Sequence, residues 1–270
     1  MRRALLAGLV FAAAFVALAF LALPIVAIFT HVSPGRLAAQ LSNPVVTDAL
    51  VVSLKTTLVA QALILALGTP AANVLASRRF RGRSVLVTLV ELPLVLPPAV
   101  AGIGLLVTFG RVGLLHTSLP FTQTAVTLAV AFVASPLYMR QAIAAFEAVD
   151  PNLVAASRTL GAGSVKTFFR VVLPLARGGL AAGEALAFAR GLGEFGATIM
   201  FAGSLRGVTQ TLPLAVYAEF DVAGGFTIAL AISALLVLIS AALLITIKLV
   251  LQWQPSRRTS PSRFALSTSS

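Results

Sequence analysis

In the stretch FARGLGEFGATIMFAG, Phe188 to Gly203, a guanidinium and a carboxylate stand four residues apart in otherwise apolar surroundings. On a helix, Arg190 and Glu194 share a face. Such a pair can do two things. The charges can neutralise each other and hold neighbouring helices in register, or Arg190 can attract a passing dianion. Glu194 would repel an anion, which argues against tight holding and suits a path that releases what it carries. Thr198, four residues on, extends the polar stripe. Gly191, Gly193, Gly196, Ala197 and Gly203 keep the segment thin, and small residues let helices approach closely in a bilayer. Charges at membrane depth face a bundle interior or a water-filled path rather than lipid.

The other reactive groups are few. Glu91 and Glu184 fall in apolar runs and read as interhelical partners ahead of ion ligands. Lys55 reads as snorkelling toward the outer interface. His31 and His116 fall in predicted loops, and the chain has no cysteine. No nucleophile–base pair and no acidic pair at metal-ligand spacing is legible, so no catalytic, cofactor or metal site is assigned and an intramembrane enzyme is disfavoured. Pro97-Pro98 interrupts an apolar run. Backbone groups freed by such a break need protein or a water-filled cavity to receive them, so the break either lines a path or is a simple kink.

The elements that must position these groups follow from composition. Of 270 residues, 59% are hydrophobic and 10% charged, far from the balance of a soluble domain. Several apolar runs reach the roughly 20 residues needed to cross a bilayer. The fold class is all-α, a polytopic membrane protein with six transmembrane helices. They are expected at about 4–29, 49–76, 85–109, 122–138, 179–202 and 226–251, with a cytoplasmic loop at 139–178. Residues 1–48 form a first helix and external loop, 49–251 the main membrane unit, and 252–270 a disordered cytoplasmic tail.

The net charge of +12 has its explanation in orientation, without nucleic acid. Arginine and lysine gather at 2–3, 78–83, 140–177 and 257–263, whereas the other side holds only Arg36, Arg111 and Arg206. By the excess of positive charge on cytoplasmic loops, both termini lie in the cytoplasm.

The 139–178 loop carries its own signals. Asp150-Pro151 is a cap followed by proline at the first helical position. Gly161 sits where a left-handed helix end is wanted. Ser164 can cap a second short helix, VKTFFRVVL, whose Val165, Phe168, Phe169 and Val172 share a face, with Pro174 ending it. Two short helices around a glycine read as a docking element or as an amphipathic loop lying on the bilayer.

The run VAASRTLGAGSVKTFFRVVLPL resembles the cytoplasmic EAA loop of permease subunits of ABC importers. Gly161, followed by Ala162, matches the family glycine, and Leu173-Pro174 matches its distal Leu-Pro. Ala155-Ala156-Ser157 stands where Glu-Ala-Ala is usual, which bears on one polar contact with the ATPase and not on docking. LPLVLPPAVAGIGLL (92–106) and FARGLGEFGATIMFAGSLRGVTQTLPLAVY (188–217) are similar to the molybdate permeases of the type I importers, with sulfate permeases as close relatives; the Thr-Gln-Thr-Leu-Pro run favours molybdate.

The resemblance covers roughly 49–251. It implies a homodimer in the bacterial cytoplasmic membrane, two ATP-binding subunits that carry ATP and magnesium, and an external molybdate-binding protein. On the residue types alone, a gate or path is expected at Pro97, Pro98, Arg190, Glu194, Gly196 and Thr198. Sulfate, thiosulfate or tungstate are the alternative cargoes. An ion-coupled secondary transporter is the rival of another class, but no internal inverted repeat is visible. The absence of a phosphate-binding glycine-rich loop places ATP hydrolysis on another polypeptide.

Overall fold

A computed structural model describes residues 2–252, and all regular structure among them is helical. The expected tail, with Arg257, Arg258 and Arg263, lies outside the described residues from 253 onward. In chain order the helices are α1 (Arg2–His31), α2 (Pro34–Gln40), α3 (Pro44–Ser77), α4 (Arg83–Val95), α5 (Pro98–Phe109) and α6 (Gln123–Glu147). They continue with α7 (Pro151–Thr159), α8 (Ser164–Leu192), α9 (Gly196–Ala202), α10 (Leu212–Phe220) and α11 (Phe226–Gln252). Five are long and apolar enough to cross a membrane, and the α4–α5 pair makes a sixth span if its two pieces are counted together.

Several boundaries differ from those expected, each for a local reason. Helix α3 starts at Pro44 instead of about 49, because Asn43 accepts from the Val45 amide at 3.0 Å and proline suits the first turn. The expected single helix at 85–109 is two helices meeting at 114°. Leu96 and Pro97, each followed by a proline, are both extended, since proline bars the preceding residue from the helical region. Helix α6 continues to Glu147, past the expected end at 138, and α8 begins at Ser164, ahead of 179. The expected connection at 139–178 therefore contracts to 148–163. The 203–225 connection contains α10, and His31, expected in a loop, is the last residue of α1.

Pro174 does not end a helix. It follows a wider turn of π geometry, Phe168–Val172, in which the Leu173 amide bonds to the Phe168 carbonyl. The extra residue in that turn moves the carbonyl that the proline ring would otherwise strike. The same device, at Ile64–Gly68, precedes Pro70 in α3. Ser164 does not cap either. The cap position falls on Gly163, with no side-chain hydrogen bond.

Helix α6 is the centre of the bundle. Its N-terminal half packs Ala125, Val126, Ala129 and Val133 with Ala101 and Leu105 of α5 and Ala197 and Phe201 of α9. Its C-terminal half packs Ala134, Tyr138 and Ile143 with Ile64 and Leu75 of α3 and Ala176, Leu180 and Ala187 of α8. Close approach of α8 requires glycine. A Cβ on Gly179 would meet the Ala145 Cβ at 2.5 Å, and one on Gly183 the Gln141 Cβ at 2.8 Å. A third cluster joins the N-terminal end of α3, through Val46 and Ala49, to Leu212 of α10 and Ile232 of α11. The apolar side chains of α1, Phe11 and Phe15 among them, stay exposed, as suits a helix in lipid.

Candidate functional site

The charged segment is not one helix. Helix α8 stops at Leu192, three residues unwind, and α9 starts at Gly196. Glu194 therefore stands in the break, not on a shared helix face with Arg190. The two still meet, with Arg190 Nη1 2.6 Å from Glu194 Oε2. The other carboxylate oxygen accepts from the Ala197 amide at 2.7 Å and so caps α9. Glu194 is 1% exposed in its side chain against 34% for Arg190. A carboxylate removed from water this completely needs both partners, and its position at a helix start adds favourable dipole interaction.

The break rests on the other broken span. A Cβ on Gly196 would lie 2.7 Å from the Pro98 Cβ, and one on Gly102 would lie 2.6 Å from the Ala197 carbonyl oxygen. Gly196 and Pro98 are thus brought into contact, as are Arg190 and Glu194. Thr198 does not join the ion pair. Its hydroxyl is buried and has no hydrogen-bonding partner among the described residues. Pro97 caps α5 with its backbone alone.

Sequence reading missed a polar line on α3. Ser53, Thr57 and Gln61, four residues apart, are all buried. Ser53 Oγ accepts from the Leu212 amide at 2.7 Å, which anchors α10 behind the buried Thr209-Gln210-Thr211 run. Gln61 is 3% exposed with both amide atoms unpartnered among the described residues, and it lies beside Gly191, whose added Cβ would come 3.4 Å from its Nε2. The i, i+4, i+8 spacing was the available signal.

Other charges pair across helices. Glu91 meets Arg140 at 3.8 Å, Asp48 meets Arg206 at 3.4 Å, and Arg83 pairs with Glu147. Glu184, expected to find an interhelical partner, instead has a buried Oε2 without one among the described residues. Lys55 donates to Gln123 Oε1 at 2.8 Å. Among the described residues no three histidine or acidic side chains converge as a metal site would need.

The second candidate surface lies at the far end of the bundle. Asp150 Oδ1 accepts from the Asn152 amide at 2.9 Å and caps α7. Ala155, Ala156 and Ser157 sit on that helix. Gly161 has φ +82°, the left-handed conformation expected of it, and nothing lies within 4 Å of where its Cβ would stand. Thr167 ties the turn together. Its hydroxyl lies 3.1 Å from Ser157 Oγ and 3.4 Å from the Ala162 carbonyl. Leu173 and Pro174 are not part of this turn, because they lie within α8. Leu153, Leu160, Val165 and Phe169 are exposed around α7 and the start of α8.

Three comparisons bear on this arrangement. Residues 64–254 match the family model "Binding-protein-dependent transport system inner membrane component". The chain is 43% identical to the molybdenum transport system permease protein ModB of Mycobacterium tuberculosis, over 78% of this chain and 82% of that one. It is 40% identical to the protein of the same name from Escherichia coli K12, over 76% of this chain and 92% of that one. Among solved structures, a chain of a bacterial ABC transporter that imports alginate shares the fold with TM-score 0.68, 15% identity and coverage of 96% and 97%. A chain of the inward-facing MetNI methionine ABC transporter does so with TM-score 0.62, 20% identity and coverage of 77% and 95%. The fold is the membrane domain of a type I ABC importer, a transport subunit. The family match takes in both broken spans from residue 64 and the whole α7 turn, and the chain belongs to the binding-protein-dependent transport system inner membrane component family.

Proposed function

We propose that this chain is the permease of an ATP-driven importer that carries molybdate into the cell. The observation that carries the reading is the 43% identity to molybdenum transport permeases over 78% of the chain. Residues 49–251 form the transport unit. Two copies pair, two separate ATP-binding subunits hold ATP and magnesium and dock on α7 and the Gly161 turn, and an external protein delivers the oxyanion. Ala155, Ala156, Ser157, Gly161 and Ala162 form the docking turn, while Leu173-Pro174 stiffens the root of α8 behind it.

The contact of Gly196 with Pro98, with its supporting Arg190–Glu194 pair, supports a gate in which two broken helices bear on each other. One oxygen of Glu194 accepts from the Ala197 amide and the other faces Arg190 in an ion pair without hydrogen-bond geometry, which favours a structural role for the pair over anion attraction. Both termini face the cytoplasm.

Uptake of labelled molybdate tests the reading in cells lacking their own molybdate permease. Co-expression of the chain with its ATP-binding and binding-protein partners should restore uptake, and excess tungstate should compete while sulfate should not. Restoration blocked by sulfate would reassign the cargo. For orientation, reporter fusions near Arg81 and Arg158 should read as cytoplasmic, and fusions near His116 and Arg206 as external.

A further inference from the structure

A cavity of about 690 Å³ opens where the inner ends of α3 and α6 face α7 and the start of α8. Its polar lining includes Asn73, Ser77, Arg78, Glu147 and Arg158. Glu147 is neutralised by Arg83, which also donates from Nε to the Leu75 carbonyl at 2.6 Å. Two positive charges are left over. Arg78 and Arg158 are both exposed, and neither has an acidic side chain within 4.0 Å among the described residues.

Part of the lining is apolar. Phe146, Val172 and Phe168 supply it, with the two aromatic rings 6.1 Å apart. Arg78 follows directly on the last residue of α3, one of the helices long and apolar enough to cross a membrane, so the cavity opens at the end of a candidate span. A site that combines two forked guanidinium groups with aromatic and aliphatic side chains fits an amphiphile with an anionic phosphate head. Basic pockets between spans on the cytoplasmic side take such heads.

We propose that this cavity binds the headgroup and upper acyl chain of an anionic phospholipid from the cytoplasmic leaflet, wedged behind α7. The proposal draws on the reading above only for the leaflet. It is tested by bound mass, so a failure of molybdate uptake leaves it standing and its own failure leaves the transport reading standing.

The assembled complex, delipidated in mild detergent, is titrated with dioleoyl phosphatidylglycerol and examined by native mass spectrometry. The wild type should retain the lipid. R78Q/R158Q should weaken retention by about 30-fold, at roughly fivefold for each arginine near a surface. R79Q/R81Q, which removes two neighbouring charges outside the cavity, should change it less than about twofold. Ser77→Trp, which fills the cavity and keeps its charge, should also reduce retention. The proposal is overturned if phosphatidylcholine is retained equally, or if R79Q/R81Q weakens retention as much as R78Q/R158Q. It is also overturned if inorganic phosphate displaces the lipid, or if the wild-type complex holds none because a partner subunit's side chains fill the site.

Discussion

Two places in this chain start a short helix with an acidic cap near a glycine, and they solve the same local problem in different solvents. At the α7 turn, Asp150 caps an exposed helix and the nearby Gly161 is needed for its backbone, with φ +82° and open space where a Cβ would stand. At the α8–α9 break, Glu194 caps a buried helix. There Gly196 is needed for its missing side chain, because the Pro98 Cβ would lie 2.7 Å from its own. Water can solvate the first carboxylate. The second is sealed from water and has Arg190 in its place. Burial thus turns an ordinary cap into an ion pair whose loss is expensive, and turns a glycine from a conformational device into a spacing device.

Cutting the buried pair should give the largest effect. Arg190→Gln or Glu194→Gln leaves a partner uncompensated, which costs on the order of 3–5 kcal/mol. Each should sharply lower the complex recovered from membranes, and the double mutant should partly restore it. Normal assembly of both single mutants would sink the structural role and return Arg190 to anion attraction, a role that would show as slowed uptake alone.

Next comes Gly196→Ala. Overpacking against Pro98 should cost about 1–3 kcal/mol, visible as a lower melting temperature of the purified complex. An unchanged melting temperature would mean that α5 and α9 part easily.

Gly161→Val probes the exposed glycine. With no neighbour to strike, the penalty is the left-handed backbone, about 1–2 kcal/mol, confined to the turn. Assembly should survive while uptake and binding-protein-stimulated ATP hydrolysis fall together. Gly161→Asn, which tolerates that conformation better, should retain more of both. Equal behaviour of Val and Asn would show that side-chain bulk, and not backbone geometry, matters there.

The smallest change belongs to Asp150→Ala, about 1 kcal/mol for loss of an exposed cap. Faster amide exchange over 152–159 with assembly unchanged is the expected signature. A loss as large as that of Glu194→Gln would erase the contrast between the two caps.

The α7 turn was legible in the sequence because its signals are local. Asp150-Pro151 and the glycine ten residues on act through bonds within the turn, and each took the conformation its neighbours dictate. Pro174 misled for a reason that is also local but subtler. Proline normally forbids the helix behind it, yet one wider turn at Phe168–Val172 admits it. Arg190 and Glu194 were rightly paired by spacing but wrongly placed on one helix, because their ion pair survives an unwinding that spacing cannot report.

The sequence alone determined that the chain is helical and lives in a membrane, roughly where its long apolar stretches fall, and where positive charge gathers. Those properties are sums over residues, set by transfer free energies that act on each stretch independently. Only the tertiary structure decided that Gly196 bears on Pro98, that Ser53 holds the Leu212 amide, and that Gln61 and Glu184 keep polar atoms buried without partners among the described residues. Such contacts join residues far apart in the chain, and they exist because small side chains let particular helices come close enough for backbone to meet backbone.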